Sequence, residues 1–159
     1  MDNKLEYIPG DLVMTNGVPL GTEKGVVYRV TSSDPSKTLE LGDGTVLKGV
    51  VCLENIEGAE FGDKGYLFGD CCAWVKDIVP IPLTPEILEK NGWKKEMYHD
   101  WRHYFPLERT LLYLSECVDI DGAFAVCVGL NMSHIACISF VHQLQHLFFS
   151  LNINYEVEV

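Results

Sequence analysis

The chain has 159 residues, 47% of them apolar and 22% charged, with a formal net charge of −11. That length supports one compact domain or two very small lobes with a real core, and the apolar share excludes a disordered chain. The acidic balance excludes a general nucleic-acid binder, whose affinity rests on Lys and Arg neutralising phosphates.

Taken in order, Met1–Glu6 is a polar lead-in. Ile8-Pro9-Gly10-Asp11 predicts a turn into a short strand at Leu12–Met14. Thr15–Gly25, with Gly17, Gly21, Gly25 and Pro19, predicts a long loop. Val26–Thr31 is strongly β-forming, Asp34-Pro35 predicts a turn over Ser32–Lys37, and Thr38–Leu41 predicts another strand. Asp43-Gly44 suits a tight hairpin leading into Val46–Leu53. Glu57–Gly69 is a polar, glycine-rich loop, and Cys72–Val79, carrying Trp74, predicts the last strand of this half. About five short strands with frequent turns predict a small barrel of SH3-like size.

The join between the halves is Ile78–Lys95, IVPIPLTPEILEKNGWKK. Pro80 and Pro82 enforce an extended connector. Thr84 is then a good N-cap, Pro85 suits the first helical position, and Glu86 faces the positive end of the helix dipole. Leu83 and Leu88 stand at the positions of a hydrophobic staple. Gly92 supplies a left-handed stop that returns Trp93 towards Leu88. A short clamped helix over Pro85–Lys90 follows, too short to stand without packing.

Beyond it, Met97–Pro106 is dense in aromatics and allows a strand at Trp101–Phe105. Thr110–Val118, Ala123–Leu130 and His134–Phe140 predict a three-stranded antiparallel meander, with Asp121-Gly122 and Asn131–Ser133 as its turns. Val141–Leu151 switches to helical period. Val141, Leu144, Leu147, Phe148 and Leu151 share one face, His142, Gln143, His146 and Ser150 the other, with Gln145 half-buried between. The helix should cover one face of the meander, because a bare three-stranded sheet is marginal. Tyr155–Val159 allows a last edge strand.

Two stretches carry a family resemblance. Pro80–Thr84 with Leu88, Lys90, Gly92 and Trp93 follows the pattern PIPLT-x-x-x-L-x-K-x-G-[FW], and FVHQLQHLFFSLN closes the chain in the manner of a VHQLQNLYFALTGEEL helix. Together they resemble an uncharacterised family of small proteins encoded by Bacteroidetes phages and integrated mobile elements. The likeness covers about half the chain, from Trp74 onward. It departs at His146, where the family pattern has Asn, and over Asn152–Val159. It implies no activity and no site residues.

The chemistry-bearing residues are sparse. His142 and His146 have the i,i+4 spacing that lets two imidazoles share a metal, but no Glu follows the first and no third ligand is near, so no metal is expected. His99 and His103 repeat the spacing in a less helical setting. Asp119-Ile120-Asp121-Gly122 lacks the later ligands of a calcium loop, and Gly42-Asp43-Gly44 lacks the Lys and helix of a phosphate loop. No G-x-S-x-G is present, and Cys117, Cys127 and Cys137 lie in apolar runs where thiols are usually inert. With no C-x-x-C spacing among six cysteines and no signal peptide, no disulfide is expected and a cytoplasmic setting fits; the adjacent Cys71–Cys72 pair invites thiol titration. No apolar run reaches the ~20 residues of a membrane helix.

The expectation is an α+β, mostly β protein: residues 1–79 an SH3-like barrel lobe, 80–95 a connector with a short helix, and 96–159 a meander under one amphipathic helix. Trp74, Trp93, Tyr98 and Trp101 gather about the join in sequence; they serve either as core or as a cleft for a flat ligand or partner peptide. With Arg102, His142 and His146 they are the candidate ligand- or partner-binding residues. No catalytic residue, cofactor or metal is expected. The expected role is a non-catalytic binding protein, an accessory factor of a phage or mobile element, contacting a protein partner or itself as a homo-oligomer. One alternative is an anti-defence protein that sequesters a small nucleotide signal; another is a cysteine- or metal-dependent enzyme.

Overall fold

The computed structural model describes residues 6–98, 101–106, 112–129, 131 and 133–159, with Tyr98 and Trp101 described in backbone only. The chain forms two compact units, Met1–Ile81 and Pro82–Val159. Each is built on an antiparallel five-stranded sheet, and the protein is α+β with strands predominating.

The first unit contains β1 (Leu12–Thr15), β2 (Val27–Glu40), β3 (Val46–Asn55), β4 (Cys71–Trp74) and β5 (Ile78–Pro80), in the sheet order β4-β3-β2-β1-β5. Period-two alternation turns Tyr28, Val30, Val51, Leu53 and Ala73 inward, where Tyr7, Val13, Leu67 and Ile78 complete the core. The expected turn at Asp34-Pro35 is instead an irregularity inside one long β2. Pairing passes from Asp34↔Val50 to Thr38↔Lys48, so Pro35–Lys37 oppose the single residue Gly49. Pro35 has no N–H for the ladder, and Ser36 satisfies Asp34 locally by donating from both N and Oγ to its Oδ1. The Gly42–Thr45 hairpin forms as expected, with Leu41 N donating to Thr45 O and Thr45 N to Asp43 Oδ1.

The strand expected over Cys72–Val79 is broken by a 3-10 turn at Val75–Asp77. β4 and β5 are the two edges of the sheet and are not paired with one another, so the sheet is not closed into a barrel. A three-residue link reaches about 10 Å at most. The 3-10 turn therefore keeps the end of β4 and the start of β5 near one another.

The expectation of no disulfide is also corrected. Cys52 and Cys72 are directly opposed partners on β3 and β4 and are joined by a disulfide. Their separation of 20 residues implies about 3 kcal/mol from the loop they close. Cys71, one residue away, points to the other face, where its thiol is buried and donates to Leu20 O at 3.1 Å.

The second unit contains α1 (Pro85–Lys90), β6 (Lys94–Tyr98), β7 (Trp101–Phe105), β8 (Leu112–Glu116), β9 (Phe124–Val128), β10 (Ser133–Ile138) and α2 (Val141–Ser150). Its sheet is a plain meander, β10-β9-β8-β7-β6, so β6 is a strand beyond those expected and the optional strand at β7 is present. α1 has the expected bounds and ends. Thr84 Oγ1 accepts from Ile87 N at 3.3 Å, while Gly92 N donates to Glu89 O and Trp93 N to Leu88 O. The connector over 80–95, whose short helix needs a packing partner, has one in the second unit. Leu83 N donates to Ser139 O, Pro82 bridges Phe140, and Trp93 stacks on Phe148 of α2, so this stretch is integral to the second unit.

Residues 155–159 are not a strand. They are held by Asn91, whose Nδ2 donates to Glu158 O at 2.7 Å and whose Oδ1 accepts from Glu158 N at 2.8 Å, and Val157 is buried. α2 starts where Gln143 Oε1 accepts from Ser139 N and Phe140 N, and ends at Asn152, which takes the left-handed conformation at φ 54°. Its buried side is Val141, His142, Leu144 and Phe148, while Leu151 is exposed. The helix is therefore turned about one position from the expected stripe, which brings His142 into the interior. Gln145 is half-buried, as expected.

Candidate functional site

The residues singled out from the sequence are divided between the two units. Trp74 belongs to the first unit, half-buried on β4 opposite Val50. Trp93 belongs to the second and is only 4% exposed, its ring stacked on Phe148 with centroids 6.1 Å apart, so it is core. Tyr98 and Trp101 pair at the β6–β7 turn through their backbones; their side chains lie outside the described residues. Arg102 is exposed and sits 3.5 Å from Glu116, an ion pair of small energetic worth at that exposure. His142, expected on the exposed helix face, is 4% exposed and stacks on Phe140, and half-buried His146 meets it edge-on at 5.6 Å. Among the described residues, the structure thus brings Tyr98 and Trp101 together through their backbones and His142 and His146 through their rings. Among the described residues, no group of three or more His, Cys, Asp and Glu could hold a metal ion.

Two other places carry more. The first lies in the long loops of the first unit, residues 16–26 and 56–70. Buried Thr15 and Thr22 pin the first loop: Thr15 Oγ1 donates to Thr22 Oγ1, which donates to Pro19 O. Tyr28 OH accepts from Glu23 N, Glu23 Oε1 accepts from Gly65 N at 2.8 Å, and Asn55 bonds Leu67 N and O. These bonds tie both loops to the sheet and to each other. With their backbones so held, Leu20 at 92% and Phe68 at 95% exposure stand in solvent, joined by exposed Val18 and Phe61. Apolar side chains held this far out of a folded unit contribute little to its stability. The same two loops carry Glu23, Glu57, Glu60, Asp63 and Asp70 against Lys24 and Lys64.

The second place is the sheet face of the second unit opposite the Tyr104, Leu114 and Val126 side. Register puts His103, Ser115, Ala125 and Cys137 in one row and Tyr113, Cys127 and His134 in the next. Together with the Cys117–Ile120 turn they line an open cavity of about 480 Å³. Burial, then the neighbouring Cys127, pushes the Tyr113 hydroxyl up to about 12. Burial also pushes the Cys127 thiol up and the His103 imidazole down. Burial, then contact with Cys137, raises the Cys117 thiol as well.

His103 makes the second unit acid-sensitive. Folded, it stays neutral below its ordinary value; unfolded, it takes a proton near pH ~6.5. The unfolded state binds the extra proton, so this contribution is full above about pH 6.5 and is lost as pH falls below it. The melting temperature should drop between about pH 7 and pH 5, and His103→Gln should flatten that slope in a calorimetric pH series. An unchanged slope would place the acid sensitivity elsewhere.

No family model, curated protein or solved structure matches the chain.

Proposed function

We propose that the protein is a non-catalytic binding protein, an accessory factor that works by protein–protein contact through the loop surface of its first unit. The occupant is a partner segment presenting apolar side chains flanked by Lys or Arg. One observation carries this reading: Val18, Leu20, Phe61 and Phe68 are exposed on two hydrogen-bonded loops whose sequence carries five acids and two lysines. The apolar residues supply contact area, and the acidic balance of the loops favours a basic partner and speeds encounter. Sequestration of a nucleotide would need cationic groups beside an exposed aromatic platform. Trp93 is taken up in the core and Arg102 in its pair with Glu116.

The test is a heteronuclear NMR titration with two synthetic amphipathic peptides, one Leu/Lys and one Leu/Glu. The Leu/Lys peptide should shift amides within residues 16–26 and 56–70. Leu20→Asp with Phe68→Asp should weaken its binding at least tenfold while leaving the melting temperature in place. Equal binding of the Leu/Glu peptide, or shifts outside these loops, overturns the proposal. So does self-association in sedimentation that the double variant abolishes, which would make a second copy the occupant.

A further inference from the structure

The face of the second sheet holds chemistry that a binding protein does not use. Cys117 Sγ and Cys137 Sγ lie 3.8 Å apart, and Cys137 Sγ lies 3.4 Å from His134 Nε2. The same nitrogen is 2.7 Å from the carbonyl oxygen of Ala136. A carbonyl can only accept, so the proton is on Nε2 and is donated to Ala136 O, which fixes the imidazole beside the Cys137 sulfur. Cys137 is exposed on the edge strand β10, whereas Cys71 and Cys127 are buried.

We propose that this cavity is a thiol-oxidation site for a small hydroperoxide, with Cys137 as the reacting thiol, His134 as its positioning residue, and Cys117 as the thiol that completes a disulfide. The Cys137 thiolate attacks one peroxide oxygen. An S–O bond forms, the O–O bond breaks, and the remaining oxygen takes a proton and leaves as an alcohol, or as water from hydrogen peroxide. Sulfur loses two electrons and becomes a sulfenic acid, while the peroxide gains them. Cys117 sulfur then attacks the sulfenic sulfur. An S–S bond forms, the S–O bond breaks, and hydroxide leaves with the Cys117 proton as water.

The geometry sets what must move. A disulfide needs the sulfurs at about 2 Å rather than in van der Waals contact. Cys117 and Cys137 flank β9, opposite Ala123 and Ala125 respectively, so the bond must cross over that strand. Cys117 lies just past the end of β8 at the start of the Cys117–Gly122 turn, and a turn yields more readily than a laddered strand. Oxidation therefore draws the Cys117–Ile120 wall over the cavity that admitted the peroxide.

The experiment treats the intact protein with one equivalent of hydrogen peroxide and follows it by mass spectrometry with alkylation and dimedone trapping. Of the four thiols present before oxidation, two should be lost, with a Cys117–Cys137 cross-linked peptide and a mass lower by about 2 Da. Cys117→Ser should instead accumulate a dimedone adduct at Cys137. Cys137→Ser should form neither product, and His134→Phe should slow peroxide consumption at least tenfold, each with an unchanged circular dichroism spectrum. If Cys137 reacts no faster than Cys71 and Cys127, or Cys137→Ser consumes peroxide at the wild-type rate, the site is overturned. If the wild type holds a stable sulfenic acid and no Cys117–Cys137 link forms, Cys117's role is overturned. The loop surface of the first unit takes no part in any of these readouts.

Discussion

Leu144→Asp should unfold the second unit. Leu144 is 1% exposed on α2, beside Val141 and Phe148, which are also buried. Truncating a buried Leu costs about 2–5 kcal/mol, and forcing a carboxylate into the same place adds several more. The sum rivals the whole stability of a small domain, about 5–15 kcal/mol. In hydrogen exchange read by mass spectrometry, the amides of β8 and β9 should lose protection, while β2 and β3 keep theirs. Leu144→Met, which conserves volume, should cost less than about 1.5 kcal/mol. Protected β8 and β9 amides in Leu144→Asp would place α2 outside the core.

The second large effect is in the first unit, at Gly65. Its φ is +74°, and a Cβ there would sit 2.6 Å from Val26 Cγ1 and 2.7 Å from Tyr28 OH. Tyr28 is fully buried and cannot retreat without opening the core. Gly65→Ala thus combines a left-handed backbone penalty of about 1–2 kcal/mol with overpacking of about 1–3 kcal/mol. It should lower stability in urea unfolding by about 2–5 kcal/mol, the sum of the two. Gly58 is the control. Its φ is +87° with nothing within 4 Å of a Cβ, so Gly58→Ala should cost only the backbone share, about 1–2 kcal/mol. Equal losses in the two variants would mean that the close approach to Tyr28 is not what demands glycine.

Local signals were legible in the sequence, and signals that depend on strand register were not. The clamp on α1 is written within ten residues: Thr84, Pro85 and Gly92 each act on backbone groups a few positions away, so its bounds could be read directly. The Asp43-Gly44 hairpin is local in the same way. The Cys52–Cys72 disulfide is invisible to spacing rules because it is set by which residue of β3 faces which of β4. Neither does spacing show that α1 belongs to the second unit, since its anchors, Ser139, Phe148 and Glu158, lie far along the chain. His142 was misplaced because a hydrophobic stripe gives a helix face only to within about one residue, and packing chooses the rest. For the thiol face one clue was present. Cys117, Cys127 and Cys137 recur every ten residues, about the length of one meander repeat. A residue type that returns with each strand tends to return to the same end and side of the sheet.

The clasp at Asn91 also sets an order of events. It joins residues 67 positions apart, so α1 leaves the ribosome long before the chain that holds its C-terminal end is made. At about 5–20 residues per second, that delay is about 3–13 s. Throughout it Leu88 and Trp93 have no α2 to pack against and Asn91 has no tail to hold. During synthesis this segment is an uncovered apolar surface, a natural target for a chaperone until the last strand and helix arrive.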